Sequence, residues 1–127
     1  MKTATARNGE GEEDGLRRVA YVDSDSAHQN LFPALANDKY ENEMVVDVYN
    51  DPESLMESGE DYDVVVTGYG GFNDGKTGVD IADVLEGSDT RVVLYTANTD
   101  LDLEDVDAEY LTKGRGFEDV FETILEP

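Results

Sequence analysis

The sequence predicts a doubly wound α/β fold, a five-stranded parallel sheet with helices on both faces. Three observations predict it. Short β-branched runs recur along the chain, helical spacing or a near-helix gap separates them, and the most continuous run is apolar throughout, as in a strand covered on both faces. The length of 127 residues suits a single domain.

Each element follows in order. Residues 1–16 (MKTATARNGEGEEDGL) are rich in Gly, Glu and Thr. They bury too little to order themselves and are expected to form a disordered tail before a domain over 17–127. Arg18-Val19-Ala20-Tyr21-Val22 is a buried first strand ending in acids. Ala27, Leu31, Ala34 and Leu35 have helical spacing over 25–37, with Pro33 expected to kink the helix or remove one hydrogen bond. Met44–Tyr49 is a second strand that alternates at its end, placing it near an edge. A short helix starts after Asn50 or Asp51 as cap, with Pro52 in its first turn, and stops near Gly59. Asp63-Val64-Val65-Val66-Thr67 is the central strand. After a glycine-rich stretch, Gly68 to Gly78, a third helix runs over Val79–Leu85 and ends at Gly87. Arg91–Tyr95 is a fourth strand. Residues 98–107 hold only Leu101, Leu103 and Val106 as large hydrophobes, enough for a shortened fourth helix of about one turn. Glu109–Thr112 is a fifth strand. Phe117, Val120, Phe121, Ile124 and Leu125 form the apolar stripe of a final amphipathic helix.

Parallel strands joined by helices, at this length, favour the flavodoxin-like strand order 2-1-3-4-5. The site of such a fold lies where the first and third strands end. That gathers Asp23, Ser24, Asp25, Gly68 and Tyr69 around one crevice.

Composition excludes several functions. Arg plus Lys number 9 against 31 acids, and the net charge of −22 falls entirely on residues 19–127, where 27 acids face 5 bases. Such a surface repels phosphate backbones and anionic membranes, so neither nucleic acid nor membrane is an expected partner. There is no cysteine, and His28 is the single histidine. Thiolate and multi-histidine metal sites are therefore absent, and a Ser-His-Asp triad could use only His28. No apolar run approaches the roughly 18 residues of a membrane span, and no signal-peptide core follows Met1, so a soluble, cytoplasmic product is expected. The acids are scattered through every segment and lysine is scarce. This pattern is similar to that of proteins adapted to molar cytoplasmic salt, as in halophilic archaea. The competing reading is an acidic partner-binding face.

Polar residues stand at four strand ends: Asp23 to Asp25, Thr67 to Tyr69, Thr96 and Lys113. Together with Val22-Asp23, the Asp63-Val64-Val65-Val66 run, Gly78, Thr96-Ala97 and Tyr110-Leu111-Thr112-Lys113, residues 17–125 resemble a response-regulator receiver domain. The resemblance implies a receiver-like site at Asp23, Ser24, Asp25, Gly68, Thr96, Tyr110 and Lys113. It also implies two-component signalling, by phosphorelay in the family at large.

The departures shape the expected function. Five residues on from Asp63, the family's phosphoacceptor aspartate falls on Gly68, which has no side chain to attack a phosphoryl donor. Thr67 and Tyr69 do not replace it, because a hydroxyl needs a base and strand alternation points both elsewhere. The family's second acid falls on Ser24, with Asp25 one residue off the pattern. Mg²⁺ in this fold needs carboxylates from both strand ends, and only Asp23 is left as a metal candidate, so no cofactor is expected. Gly114 replaces the usual proline after the lysine, and the segment between Thr96 and Tyr110 is short by roughly a helical turn. The resemblance therefore implies a pseudo-receiver. It would be a phosphorylation-independent protein-interaction module, not an enzyme, acting on a protein partner in signalling or on a second copy of itself. Lys113 is expected to pair with Asp23, with a solvated lysine as the alternative. Thr96 and Tyr110 also suit a turn former and strand packing, and His28 suits a solvated helix surface.

Residues 70–77, Gly-Gly-Phe-Asn-Asp-Gly-Lys-Thr, fit the Walker A pattern between a strand and a helix. This offers an alternative, nucleotide binding at Gly70, Gly75, Lys76 and Thr77. Context opposes it: the strand is third rather than first, only 50 residues follow Thr77, no later strand ends in a Mg²⁺-holding acid, and Asp74 would face phosphate. A receiver-like small-ligand sensor is a further alternative.

The charge pattern makes a direct prediction. Circular dichroism should show the folded signal in about 3 M KCl and its loss in about 0.05 M KCl, where screening no longer reaches between neighbouring carboxylates. An unchanged spectrum would remove the salt-adaptation reading.

Overall fold

The computed structural model describes residues 16–69, 72, 75–96, 108–112 and 117–126. Nine elements lie among them: β1 (Arg17–Val22), α1 (Ser26–Tyr40), β2 (Met44–Tyr49), α2 (Pro52–Ser58), β3 (Val64–Thr67), α3 (Gly78–Leu85), β4 (Arg91–Thr96), β5 (Glu109–Thr112) and α4 (Glu118–Leu125). The strands form one sheet in the order β2-β1-β3-β4-β5, and every pairing is parallel. This is the expected topology. The expected tail, except for Leu16, and the shortened helix between Thr96 and Tyr110 fall outside the described residues. No helix among the described residues is long and apolar enough to cross a membrane.

Strand alternation divides the core in two. Val19, Tyr21, Val64, Val66, Val93 and Tyr95 face α1 and α4, where Phe32, Ala36, Val120, Phe121 and Ile124 meet them. Ala20, Val22, Val65 and Val92 face α2 and α3, against Leu55, Ile81 and Ala82. All four residues of β3 are buried, as befits the central strand.

Local chemistry sets the helix ends. Asp51, rather than Asn50, caps α2: its Oδ1 accepts from Ser54 N at 2.8 Å, and hydrogen bonds from Ser54 hold the Asp51 carboxyl below its ordinary value. Gly59 ends the helix with φ of 71°, a left-handed conformation that glycine adopts without strain. Thr77 caps α3, which begins one residue earlier than expected, at Gly78.

The first helix corrects two expectations. It runs through Pro33 to Tyr40 rather than stopping at 37. Its buried face is also not that of Ala27, Leu31 and Ala34, which are exposed. Phe32 and Ala36 are buried instead, with Leu35 and Tyr40 packed against the same core. The Tyr21 ring fixes this rotation, because Phe32 stacks on it at 4.2 Å between centroids and 6° between planes.

Gly78 is the tightest point of the fold. A Cβ there would lie 2.5 Å from Gly68 O and 2.5 Å from Leu94 Cδ2. A Cβ on Gly68 would meet only ordinary contacts, with Phe72 Cζ and Tyr95 O at 4.0 Å. Gly78→Ala should therefore cost about 3 kcal/mol in denaturant unfolding, and Gly68→Ala less than about 1 kcal/mol.

Candidate functional site

The carboxyl ends of β1 and β3 build the site. Val22 lies opposite Thr67 in the sheet, and Gly68 N donates to Val22 O at 3.1 Å. Asp23 and Gly68 therefore emerge side by side at the centre of the sheet, where a doubly wound fold changes direction.

Asp23 is only 7% exposed, and an ionised carboxylate at that depth needs donors. Three elements supply them. Tyr21, two residues back on the same strand face, donates its hydroxyl to Asp23 Oδ2 at 2.7 Å. His28, on the first turn of α1, brings Nδ1 to 3.2 Å from the same oxygen. Asp25 N donates to Oδ1 at 2.9 Å. Below, Gln29 Nε2 donates to Asp23 O at 2.6 Å and to Asn50 Oδ1 at 2.7 Å, tying β1, α1 and the end of β2 together.

An aromatic cluster holds these donors in place. Tyr21 stacks on Phe32, Phe117 meets Tyr21 edge-on at 5.9 Å, and His28 meets Phe117 edge-on at 5.6 Å. Burial first, and then the Asp23 carboxylate, push the Tyr21 hydroxyl far above its ordinary value of 10.0. Tyr95 also rises, chiefly through burial, with Asp119 and Asp23 adding negative field.

The predicted residues divide. Asp23 and Gly68 sit together. Asp25 is the α1 cap, with Oδ1 accepting from Ala27 N at 2.8 Å and His28 N at 3.4 Å. Its other oxygen lies 3.7 Å from His28 Nδ1. Ser24 is exposed. Thr96 is buried at the end of β4, whereas Tyr110, on the edge strand β5, is 38% exposed. Lys113 and Gly70 lie outside the described residues, and with Lys113 the expected pairing to Asp23. The expectation of a solvated His28 is corrected: its ring lies between the Asp23 and Asp25 carboxylates and Phe117. Tyr21 and Gln29, and the place of His28 beside Asp23, are what sequence reasoning missed. Their only signals were alternation from Asp23 for Tyr21, and one helical turn from the Asp25 cap for the other two.

The described residues place one buried carboxylate, Asp23, beside Gly68, with Asp25 engaged as the α1 cap, a sparse donor set for Mg²⁺. A hard cation takes several oxygen ligands, ionised carboxylates foremost. Here both Asp23 oxygens already meet donors, Gly68 offers no carboxylate, and Ser24 faces solvent. Among the described residues, no group of three His, Asp or Glu side chains could hold a metal ion.

The described end of the Walker-like segment, at Thr77 and the start of α3, differs from a phosphate cradle, which needs N–H groups aimed at a ligand. Thr77 N donates to Asp80 Oδ2 at 2.7 Å, Gly78 N to Tyr69 O at 2.7 Å and Val79 N to Thr77 Oγ1 at 3.2 Å. Thr77 and Asp80 form a reciprocal capping box, so the helix start is closed by its own side chains.

Several solved structures share this fold. The chain is similar to the response regulator TrrA of Thermotoga maritima, solved in complex with Mg²⁺-BeF, at a TM-score of 0.68 and 21% identity, covering 86% of this chain and 96% of that one. It is similar to the Thermotoga maritima OmpR/PhoB homologue DrrB at a TM-score of 0.72 and 21% identity, covering 84% of this chain and 50% of that one. The structure of histidine kinase ThkA in complex with TrrA matches at a TM-score of 0.71 and 20% identity, covering 86% of this chain and 96% of the matched one. No protein-family model and no curated protein matches the sequence. The chain has the receiver-domain fold.

The raised Tyr21 hydroxyl predicts the alkaline behaviour. Above pH 10 the unfolded tyrosine loses its proton while the folded one keeps it. Stability that is complete below pH 10 should then fall as pH rises. Tyr21→Phe should lessen that fall in unfolding curves taken between about pH 8 and 11.5, the remainder coming from Tyr62 and Tyr95, whose hydroxyls burial also raises. At pH 8 the same variant should cost about 1–3 kcal/mol, because it leaves the buried Asp23 Oδ2 one donor short.

Proposed function

We propose that this protein is a pseudo-receiver, a phosphorylation-independent module of two-component signalling that acts by binding a protein partner and catalyses no reaction. One observation carries the reading. At the end of β3, beside the buried acid of β1, stands Gly68, with room for a side chain and none present. Aspartyl phosphorylation needs a carboxylate nucleophile at the site. Gly68 has none, and Asp23 is engaged by Tyr21, His28 and the Asp25 N–H. Protein binding is favoured by analogy with the fold's relatives, one of which is solved with a histidine kinase. No cofactor is part of this reading. Nucleotide binding at 70–77 has less support, because the described N–H groups at the start of α3 are already bonded within the chain.

Amide NMR in concentrated KCl tests the proposal. Addition of Mg²⁺ with beryllofluoride, a phosphoryl mimic, should leave the signals of Asp23 and Gly68 unmoved. Mg-ATP should leave those of Gly75 to Gly78 unmoved. The double variant Gly68→Asp with Ser24→Asp should gain a beryllofluoride response, because the backbone leaves space for the new side chain at 68. A response of the natural chain at Gly68 would overturn the reading, and one at Gly75 to Gly78 with Mg-ATP would favour the nucleotide alternative.

A further inference from the structure

At the opposite end of the sheet from Asp23, beside the starts of β3 and β4, the ends of α2 and α3 leave an apolar cleft of about 140 Å³. Leu55, Met56, Ile81, Val84 and Leu85 line it, with Tyr62 and Thr90 beside them. Val84 is 61% exposed, the most open of the large hydrophobic residues described. Two acids line the opening, Glu60 and Asp61, and Glu57, Asp83 and Glu86 are exposed on or just beyond the same two helices. Along the sequence, residues 51–90 hold 11 acids against the single base Lys76, and Arg18 of β1 reaches the same rim, paired with Glu60.

We propose that this cleft docks a basic segment of a partner protein through one bulky apolar side chain, phenylalanine in size. The inference rests on the reading of the chain as a protein-interaction module and adds where the partner binds and by what chemistry. Size supports it: an engineered apolar cavity of about 150 Å³ in another protein admits benzene, the ring of phenylalanine. Charge supports the basic flank, because cations beside the anchor would meet the carboxylates at the rim. Arg18 already shows that mode of contact within the chain. Its guanidinium lies 5.0 Å over the Tyr62 ring and pairs with Glu60 at 3.1 Å. The other occupants fit less well. A second copy brings −22 against −22, and nucleic acids and anionic membranes carry the wrong sign.

The test uses a short Arg- and Lys-rich peptide with one central phenylalanine. It is titrated into the full chain at the lowest KCl concentration that keeps the chain folded, and followed by amide NMR. Shifts are expected at Leu55, Ile81 and Val84. Replacing the peptide's phenylalanine by alanine should weaken binding about tenfold, and Val84→Ser in the protein should weaken it several-fold. A Glu-rich peptide with the same phenylalanine should not bind. Equal binding of the phenylalanine and alanine peptides, equal binding of the acidic peptide, or shifts confined to other surfaces would overturn the proposal. Dilution-dependent shifts at the same residues without peptide would also overturn it and assign the cleft to a second copy. The beryllofluoride response at Gly68 does not enter this test, so the two readings fail separately.

Discussion

A carboxylate buried at the end of the central strands must be satisfied from within, and this constraint organises the site end of the molecule. Asp23 is 7% exposed, and β1, the turn after it and α1 each supply a donor to its side chain. Each donor is held by packing. Tyr21 is fixed by its stack on Phe32, and Phe32 in turn sets the rotation of α1 that brings His28 and Gln29 to the same crevice. Among the described residues, no buried side-chain polar atom lacks a partner. An acid held this way stabilises one arrangement of the strand end.

The architecture was legible in the sequence because its signals are local. The β-branched runs, the Asp51-Pro52 start, Gly59 and the stripe from Phe117 to Leu125 each carry their own physics, and each lies within a residue or so of the element found. The buried face of α1 was not legible. Leu31 and Ala27 suggested one stripe, but the helix turns toward the residues that meet the Tyr21 ring, and that contact joins segments 11 residues apart. The same non-local fact hid the site's donors. Gly68 could be located by counting along β3, whereas the partners of Asp23 depend on how a helix sits on a sheet.

The Walker-like string shows the reverse failure, a motif legible as text whose local structure departs from its usual use. Asp80, at the third position of α3, returns a carboxylate to the Thr77 N–H, and Gly78 N is held by Tyr69 O. A phosphate cradle needs such donors directed at its ligand. The capping box fixes the helix start, so Thr77 serves as the cap of α3. The sheet thus has two contrasting ends. One carries a closed polar network beside Gly68, and the other carries an apolar cleft with an acidic rim.

The approach of Gly78 to the Gly68 carbonyl, where a Cβ would come within 2.5 Å, is a joint made of main chain on both sides. Leu94 Cδ2 and Thr67 Cγ2 pack over the same spot, so the joint is closed by side chains as well as by backbone. A side chain added at the joint would have to displace backbone, whereas Ser24 and the exposed faces of the helices can change without disturbing it.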